Sequence, residues 1–354
     1  MSTDIDNNVQ DTLDKIDFGD LGNQSVFGGG TFLEKIGEIL SGEFADSHSN
    51  IFGAVLSLVG GVIGDILPMI VLIIAISILS GFMQTLRHEN SGSGVRDVIH
   101  FVTYSAIVVL ILYTVADVVM TTGQTLNNIK TQMDIIFPIL LALMASTGAS
   151  ASTSIYQPAI VLLSNGIMQI FAFVIMPLFI IILVFSIIGN LSPNSKYDKF
   201  VDFFSSIYKW TLGITFTVFL AFLSIQGITA GTHDSISIRA TKFTMSSYVP
   251  FMGGYLSQGF DLIMASSILI KNAIGMAGLY LLFGIVMSPL MKIIVLSLGL
   301  KLCAAITQPL GDARISNFLT TVTKSFNMLI AIILGSAFMY FLTIGLIIVT
   351  GNVL

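Results

Sequence analysis

The sequence predicts an all-α, polytopic integral membrane protein in which about six helices cross the bilayer completely. Apolar residues make up 54% of the 354 residues and charged residues only 10%, whereas soluble domains carry about 25% charged residues. The runs 66–86, 98–120 and 326–350 approach or exceed the ~20 apolar residues that a helix needs to cross hydrocarbon. Because these long runs do not alternate apolar and polar residues, a transmembrane β-barrel is excluded.

Prolines interrupt three of the apolar stretches. Pro68, Pro177 and Pro289 each lie inside a stretch that is longer than one straight crossing needs. Proline lacks a backbone donor and clashes with the preceding turn, so we expect a kink or a re-entrant half-helix before each of them. The segment 136–152 is apolar at first and then rich in small and hydroxyl-bearing residues, and we expect it to form a further re-entrant element.

Three similar hairpins are expected in the membrane domain, in units at about 51–121, 122–231 and 232–354. Units two and three share Pro138 with Pro250 and Pro177 with Pro289, at the same offset of 112 residues. A true repeat predicts that these proline pairs superpose, and internal repeats are common in transport folds. The alternative is a coincidence within an apolar, Gly-rich composition.

The first 50 residues are expected to form a separate acidic segment, soluble or interfacial, before a transmembrane domain at 51–354. Residues 1–65 hold eleven Asp or Glu and two Lys. Gly28 to Gly30 predict a flexible hinge, followed by an amphipathic interfacial helix at 32–40. A secretory signal needs a basic start and an apolar run, and neither is found at the first residue.

The orientation follows from the distribution of basic residues. Lys and Arg cluster in three loops, at 87–97, 190–209 and 309–325. The positive-inside rule therefore places these loops in the cytoplasm and both ends of the chain outside.

The sequence lacks the residue patterns that are typical of metal sites, disulfides and nucleotide-hydrolysing enzymes. The four histidines lie in different segments without the spacing of metal ligands, so no metal site is expected. Cys303 is the only cysteine, which rules out an internal disulfide, and no Gly-rich loop ends in Lys-Ser/Thr, which argues against nucleotide hydrolysis. We expect no catalytic residues, no cofactor and no nucleic-acid partner.

Ionisable residues inside apolar runs are the first candidates for function, since each costs at least ~2.5 kcal/mol at the bilayer centre unless it faces protein or water. Asp117, Lys292 and Lys301 meet this condition. Lys292 and Lys301 are nine residues apart and so lie on opposite faces of a continuous helix. Asp117 and Asp261 are the candidate partners of Lys292, and snorkelling at a helix end is the alternative for Asp117 and Lys301.

Two further patterns concern surfaces. The segment 232–258 mixes charged residues, among them Asp234, Arg239 and Lys242, with aromatic residues, which predicts a position along the outer interface for anchoring or partner docking. Gly60 and Gly64 are one helical turn apart and predict a close contact between helices.

Four strings, with the segment 136–152 and the following Pro158, resemble the stage III sporulation protein AE family. The resemblance covers roughly residues 50–354 and is specific, because the strings recur in order with similar spacing. They are GITAGTHDSISIRATKF (227–243), ILIKNAIG (268–275), KLCAAITQPLG (301–311) and VTGNV (349–353).

The resemblance implies a multipass protein in the mother-cell membrane around the engulfed forespore of endospore-forming bacteria. It further implies an assembly, often described as a feeding or secretion channel, with other stage III sporulation A proteins and a forespore-side partner. The individual roles of the family positions do not follow from the resemblance. Those positions are Asp234, Arg239, Lys242, Phe243, Lys271, Asn272, Gly275, Lys301, Gln308, Pro309 and Gly311.

The sequence departs from the family in two places. Ser235 follows Asp234 where the family usually has Gly, which puts a tight turn there in doubt. Family members commonly begin with a cleavable signal, whereas this sequence opens with acidic residues. Either its start is truncated or its N-terminus is handled differently.

The leading hypothesis is a non-enzymatic membrane subunit of the sporulation channel, acting as a conduit or as the base on which a partner ring assembles. One alternative is a self-sufficient secondary transporter, which repeats, broken helices and a buried lysine would also suit. The other is a membrane scaffold without a pore. The candidate functional residues are Asp117, Asp234, Arg239, Lys242, Asn272, Lys292, Lys301, Gln308 and Pro309.

Overall fold

The computed structural model confirms the all-α, polytopic fold class. It describes residues 13, 15–27, 29–44, 51–85, 93–191, 197–248, 253–310 and 313–350. In these ranges, six helices are long and apolar enough to cross a membrane. A short amphipathic helix, α1 (Phe32–Ser41), precedes them. The six are α2 (Ile51–Thr85), α3 (Ser93–Ser146), α4 (150–191), α5 (Asp198–Tyr248), α6 (Gly253–Leu310) and α7 (Ala313–Val349).

Of the two alternatives expected at Pro68 and Pro289, the re-entrant half-helix is wrong, and the kink stays a prediction. Helix α2 runs through Pro68 without a break. Helix α6, which is 58 residues long in total, likewise runs through Pro289. At 1.5 Å per residue, α6 is about 87 Å long, far more than the ~30 Å of hydrocarbon. The surplus length therefore extends beyond the hydrocarbon as regular helix and needs no half-helix inside it.

Proline does change the backbone of α4. This helix contains two π-helical stretches, Leu162–Ile167 and Phe171–Ile175, and returns to regular α-helix at Met176. Pro177 would clash with the carbonyl group of the residue four positions earlier, Phe173, and the wider π turn relieves that clash. The disturbance predicted before Pro177 thus takes the form of π turns within an unbroken helix.

The segment 136–152 is a corner between two helices and no re-entrant element. Helix α3 continues to Ser146, the chain turns at residues 147–149, and α4 begins at Ser150. Gly148 has a φ of +83°, a value that favours glycine at the end of a helix. Thr147 and Ala149 beside it are fully buried, because small side chains let the corner pack against the neighbouring helices.

Helix α6 is the centre of the fold and packs against α2, α3, α5 and α7. Close approach depends on glycine. A Cβ atom on Gly299 would lie 2.4 Å from Ile70 of α2, and one on Gly278 would lie 2.9 Å from Ile136 of α3. The contact predicted for Gly60 and Gly64 is not found within the described ranges, where no atom lies within 4 Å of a Cβ built on either of them. Spacing shows that two glycines share a face, but packing decides which faces meet.

The amphipathic helix predicted at 32–40 is present as α1, and the segment before it docks on α6. Thr31 and Glu34 form a reciprocal capping box that begins the helix. The Phe27 carbonyl accepts a hydrogen bond of 2.7 Å from the Tyr280 hydroxyl, and the Phe27 and Phe283 rings pack edge to face. Gly29 and Gly30 form a tight turn that the Val26 backbone closes at both ends. Gly29 and Gly30 therefore form a turn, Gly28 lies outside the described residues, and the flexible hinge stays a prediction.

The internal repeat stays a prediction. Pro177 and Pro289 lie in α4 and α6, the helices that precede the basic loops of units two and three. The backbone around them differs, since it is π-helical before Pro177 and α-helical around Pro289. Pro138 lies inside α3, whereas Pro250 lies outside the described residues.

The membrane orientation is a testable prediction. Six successive crossings place the connections after α2, α4 and α6 on one side, which we expect to be the cytoplasm because of their basic residues. In a Cys303→Ser background expressed in intact, non-sporulating cells, Asn194→Cys should resist a membrane-impermeant maleimide, and Ser49→Cys should react. Labelling of N194C from outside would show that the orientation is inverted.

Candidate functional site

An ion pair joins two membrane-spanning helices near the middle of the fold. The Nζ atom of Lys292 in α6 lies 2.5 Å from Oδ2 of Asp117 in α3. The side chains are 33% and 49% exposed, so the pair sits at the helix boundary and is reachable from outside the chain. Asp117 is one of the two partners that the sequence suggested for Lys292.

Two features accompany the lysine at this position, a proline on its own helix and the carboxylate partner on α3. Pro289, three residues before Lys292, cannot donate to the carbonyl group of Ile285, which leaves that carbonyl unpaired within the helix ladder. The carboxylate of Asp117 offsets the ammonium charge, and a charge-assisted hydrogen bond is stronger than a neutral one. The pair can therefore hold α3 to α6 while keeping two charges at membrane depth.

A second lysine, Lys271, is fully buried and acts at a helix end. Its Nζ atom donates hydrogen bonds to the carbonyl oxygens of Ile348 at 3.1 Å and Thr350 at 2.5 Å. Carbonyl groups at a helix C-terminus lack partners in the helix and carry partial negative charge, which a cation satisfies. The Tyr156 hydroxyl lies 3.0 Å from Thr350 Oγ1, so α4 holds the same end. From the sequence, Lys271 was noted only as a position shared with the family that the chain resembles.

A polar stripe on α3 was missed in the sequence. Five exposed polar residues follow one another at helical spacing, which places them on one face. The pattern i, i+3, i+4, i+7 and i+10 is visible in the sequence and could have found this face. The stripe consists of Gln124, Asn127, Asn128, Thr131 and Asp134. Its last member, Asp134, forms an ion pair with Lys130 beside the stripe, with a distance of 2.6 Å between Nζ and Oδ2.

Contacts around Gly278 place the stripe beside the apolar run of α7. Gln132 of α3 donates to the carbonyl group of Gly278 at 2.7 Å. A Cβ atom on Gly278 would also lie within 4 Å of Ile344 and Tyr340, which belong to the apolar run of α7. The stripe thus lies at the level of Tyr340 and Ile344 in that apolar run. A groove of about 390 Å³ between α3 and α4, lined by Asn127 among others, runs beside it.

The other candidates do not gather into one site. Lys301, Gln308 and Pro309 are exposed towards the end of α6, with Lys301 on the face opposite to Lys292, as the unbroken helix requires. Asn272 is half-buried, and its Oδ1 atom accepts no hydrogen bond from the described residues. The side chains of three candidates, Asp234, Arg239 and Lys242 in α5, lie outside the described part of the chain.

No group of three His, Cys, Asp or Glu side chains within the described ranges could hold a metal ion. The described residues thus contain an ion pair between two spanning helices, a capped helix end and a polar face, which can hold helices together and face water.

Comparison with known proteins identifies the family. The model of the family described as Stage III sporulation protein AE (spore_III_AE) matches residues 31–351. The chain belongs to the stage III sporulation protein AE family. Among curated proteins, it is similar to Stage III sporulation protein AE of Bacillus subtilis (strain 168), with 28% identity over 280 residues, 79% of this chain and 70% of the relative. No solved structure matches the chain.

Membership gives this protein a role in sporulation within the stage III sporulation A group and confirms the resemblance noted in the sequence. The family match begins at Thr31, the N-cap residue of α1, and ends just beyond Thr350, which Lys271 and Tyr156 hold. The matched region therefore contains α1, all six long helices, the ion pair and the polar stripe.

Proposed function

We propose that this family member is a membrane subunit of the channel-type assembly that joins mother cell and forespore, without a catalytic role of its own. It would lie in the mother-cell membrane around the forespore, beside other stage III sporulation A proteins and a forespore-side partner. The polar stripe on α3 is the observation that carries the proposal. Lipid cannot hydrogen-bond five polar side chains, so this face requires water or another subunit.

The ion pair between Lys292 and Asp117 supports the same proposal. Ionisable residues within membrane spans face bundle interiors, water-filled cavities or each other, and they mark pathways for solutes or ions. Both side chains remain partly exposed, so neither is sealed inside the fold of a single chain.

The test combines purification with water accessibility. The tagged chain, purified from sporulating cells, should bring other stage III sporulation A proteins with it. In a Cys303→Ser background, Asn128→Cys on the stripe should react with a hydrophilic thiol reagent. Val109→Cys, on the same helix at a position 67% exposed and expected to face lipid, is the matched control and should stay unreactive.

The outcomes separate the proposal from its rivals. If the stripe lines a conduit, N128C should react with the reagent in the purified assembly. If the stripe contacts another subunit, N128C should be protected in the assembly and reactive in the isolated chain. Equal, low reactivity of N128C and V109C in both preparations would show that the stripe faces lipid. Movement of a solute into liposomes by the purified chain alone would favour a secondary transporter, and failure to recover any other stage III sporulation A protein would contradict the proposed assembly.

A further inference from the structure

A cleft of about 670 Å³ opens between α4, α5 and α7, away from the ion pair and from the polar stripe. Among its lining residues, Tyr208 donates a hydrogen bond of 2.6 Å from its hydroxyl to the Met328 carbonyl group and so joins α5 to α7. Both polar and apolar side chains line it. The polar set includes Asp202, Ser205, Lys209, Thr321, Lys324 and Asn327.

Two lysines stand at equal depth on the helices that border this cleft. Lys209 is eleven residues after the start of α5, and Lys324 is eleven residues after the start of α7. The two helices start on the same side of the membrane, so both lysines lie about 16 Å from that end. Neither ammonium group forms an ion pair with any residue of the described ranges, and both side chains are exposed.

The composition of the cleft fits one kind of ligand. Two lysines and Asp202 give a net charge of +1, which matches the single negative charge of a phosphodiester, and the hydroxyl and amide groups can donate to its oxygens. The apolar part of the wall, with Ile182, Leu212 and Ala331, offers a surface for an acyl chain. A soluble phosphate compound has no acyl chain that could pack against this apolar wall.

We propose that this cleft binds the phosphodiester headgroup of an anionic phospholipid. The cleft lies in the first halves of α5 and α7, nearer to the basic loops and so to the expected cytoplasmic side. Basic pockets between transmembrane helices on that side are a known setting for anionic headgroups. The lysine stems lie along apolar surface while their ammonium groups reach towards the headgroup level. This inference is independent of the proposed channel role, because it concerns a different face of the molecule.

The only tryptophan of the chain provides the probe. Trp210 follows Lys209 directly, is 70% exposed and lines a shallow hollow with that lysine. The purified full chain is placed in phosphatidylcholine vesicles that contain increasing fractions of phosphatidylglycerol with brominated acyl chains, and the quenching of Trp210 fluorescence is measured. Brominated phosphatidylcholine serves as the reference quencher.

We expect brominated phosphatidylglycerol to reach half-maximal quenching at a mole fraction at least about fivefold lower than brominated phosphatidylcholine does, since a lysine near an anionic surface is worth about that factor. Lys209→Gln with Lys324→Gln should abolish the difference, while Lys199→Gln, an exposed lysine of α5 outside the cleft, should keep it. Asp202→Asn should strengthen the preference, because it removes a negative charge from the cleft. Such a gain cannot arise from misfolding.

The proposal fails if the double lysine variant retains the preference or if D202N leaves it unchanged. Inorganic phosphate and glycerol phosphate, added at millimolar concentration to the brominated vesicles, should not relieve the quenching. Relief by either compound, lost in the double variant, would show that the cleft takes a free phosphate compound and would overturn the lipid assignment.

Discussion

Replacing Lys292 by methionine is expected to lower the yield of heat-resistant spores by at least about tenfold while protein abundance stays near that of the parent. The substitution leaves the carboxylate of Asp117 without its 2.5 Å partner, and an unpaired charge at membrane depth costs about 2.5 kcal/mol, more than one factor of ten in an equilibrium constant. Lys292→Arg should be milder, because the positive charge remains. Spore counts after heating, with immunoblots of the membrane fraction, measure both quantities.

A charge reversal tests whether the pair acts as a pair. Lys292→Asp alone should be as harmful as Lys292→Met, and its combination with Asp117→Lys should recover part of the spore yield. Lys301→Met is the matched control on the same helix, since Lys301 is exposed on the opposite face and should tolerate the change. A K292M strain that sporulates like the parent would reduce Lys292 to a snorkelling residue.

Replacing Lys271 by methionine should destabilise the fold by about 2 to 4 kcal/mol. The change removes charge-assisted hydrogen bonds to the carbonyl groups of Ile348 and Thr350 and leaves these groups without those donors at the end of α7. Loss of helical circular dichroism during titration of detergent micelles with SDS measures the free energy of unfolding.

Lys130→Met is the matched control for that measurement. The ammonium group of Lys130 pairs with Asp134 on the same helix and is partly exposed, and such a pair is worth only about 0.3 to 0.5 kcal/mol. Lys271→Arg keeps a charged donor and should lose less stability than K271M. Equal, small losses in K271M and K130M would show that Lys271 does not stabilise the end of α7.

The candidate site was partly visible in the sequence. The isolation of Lys292 and Asp117 in apolar runs marked both as candidates, because the cost of a buried charge depends on local composition. Lys271 is similarly isolated, but its role depends on where α7 ends relative to α6, more than seventy residues later in the chain. The α3 stripe carries a clear helical spacing, although its importance becomes visible only beside the apolar part of α7, which sets its depth.

The sequence by itself determined that this is an all-α membrane protein of six long helices in the stage III sporulation protein AE family, and that an amphipathic helix precedes them. These properties depend on hydropathy, residue spacing and order along the chain, which are local. Only the tertiary structure decided that α6 is central, that the helices continue past Pro68 and Pro289, and that the segment around Phe27 docks on α6. It also decided which charges meet. The reason is physical, since contacts between helices depend on their rotation and relative depth, and close packing at positions such as Gly278 and Gly299 sets both.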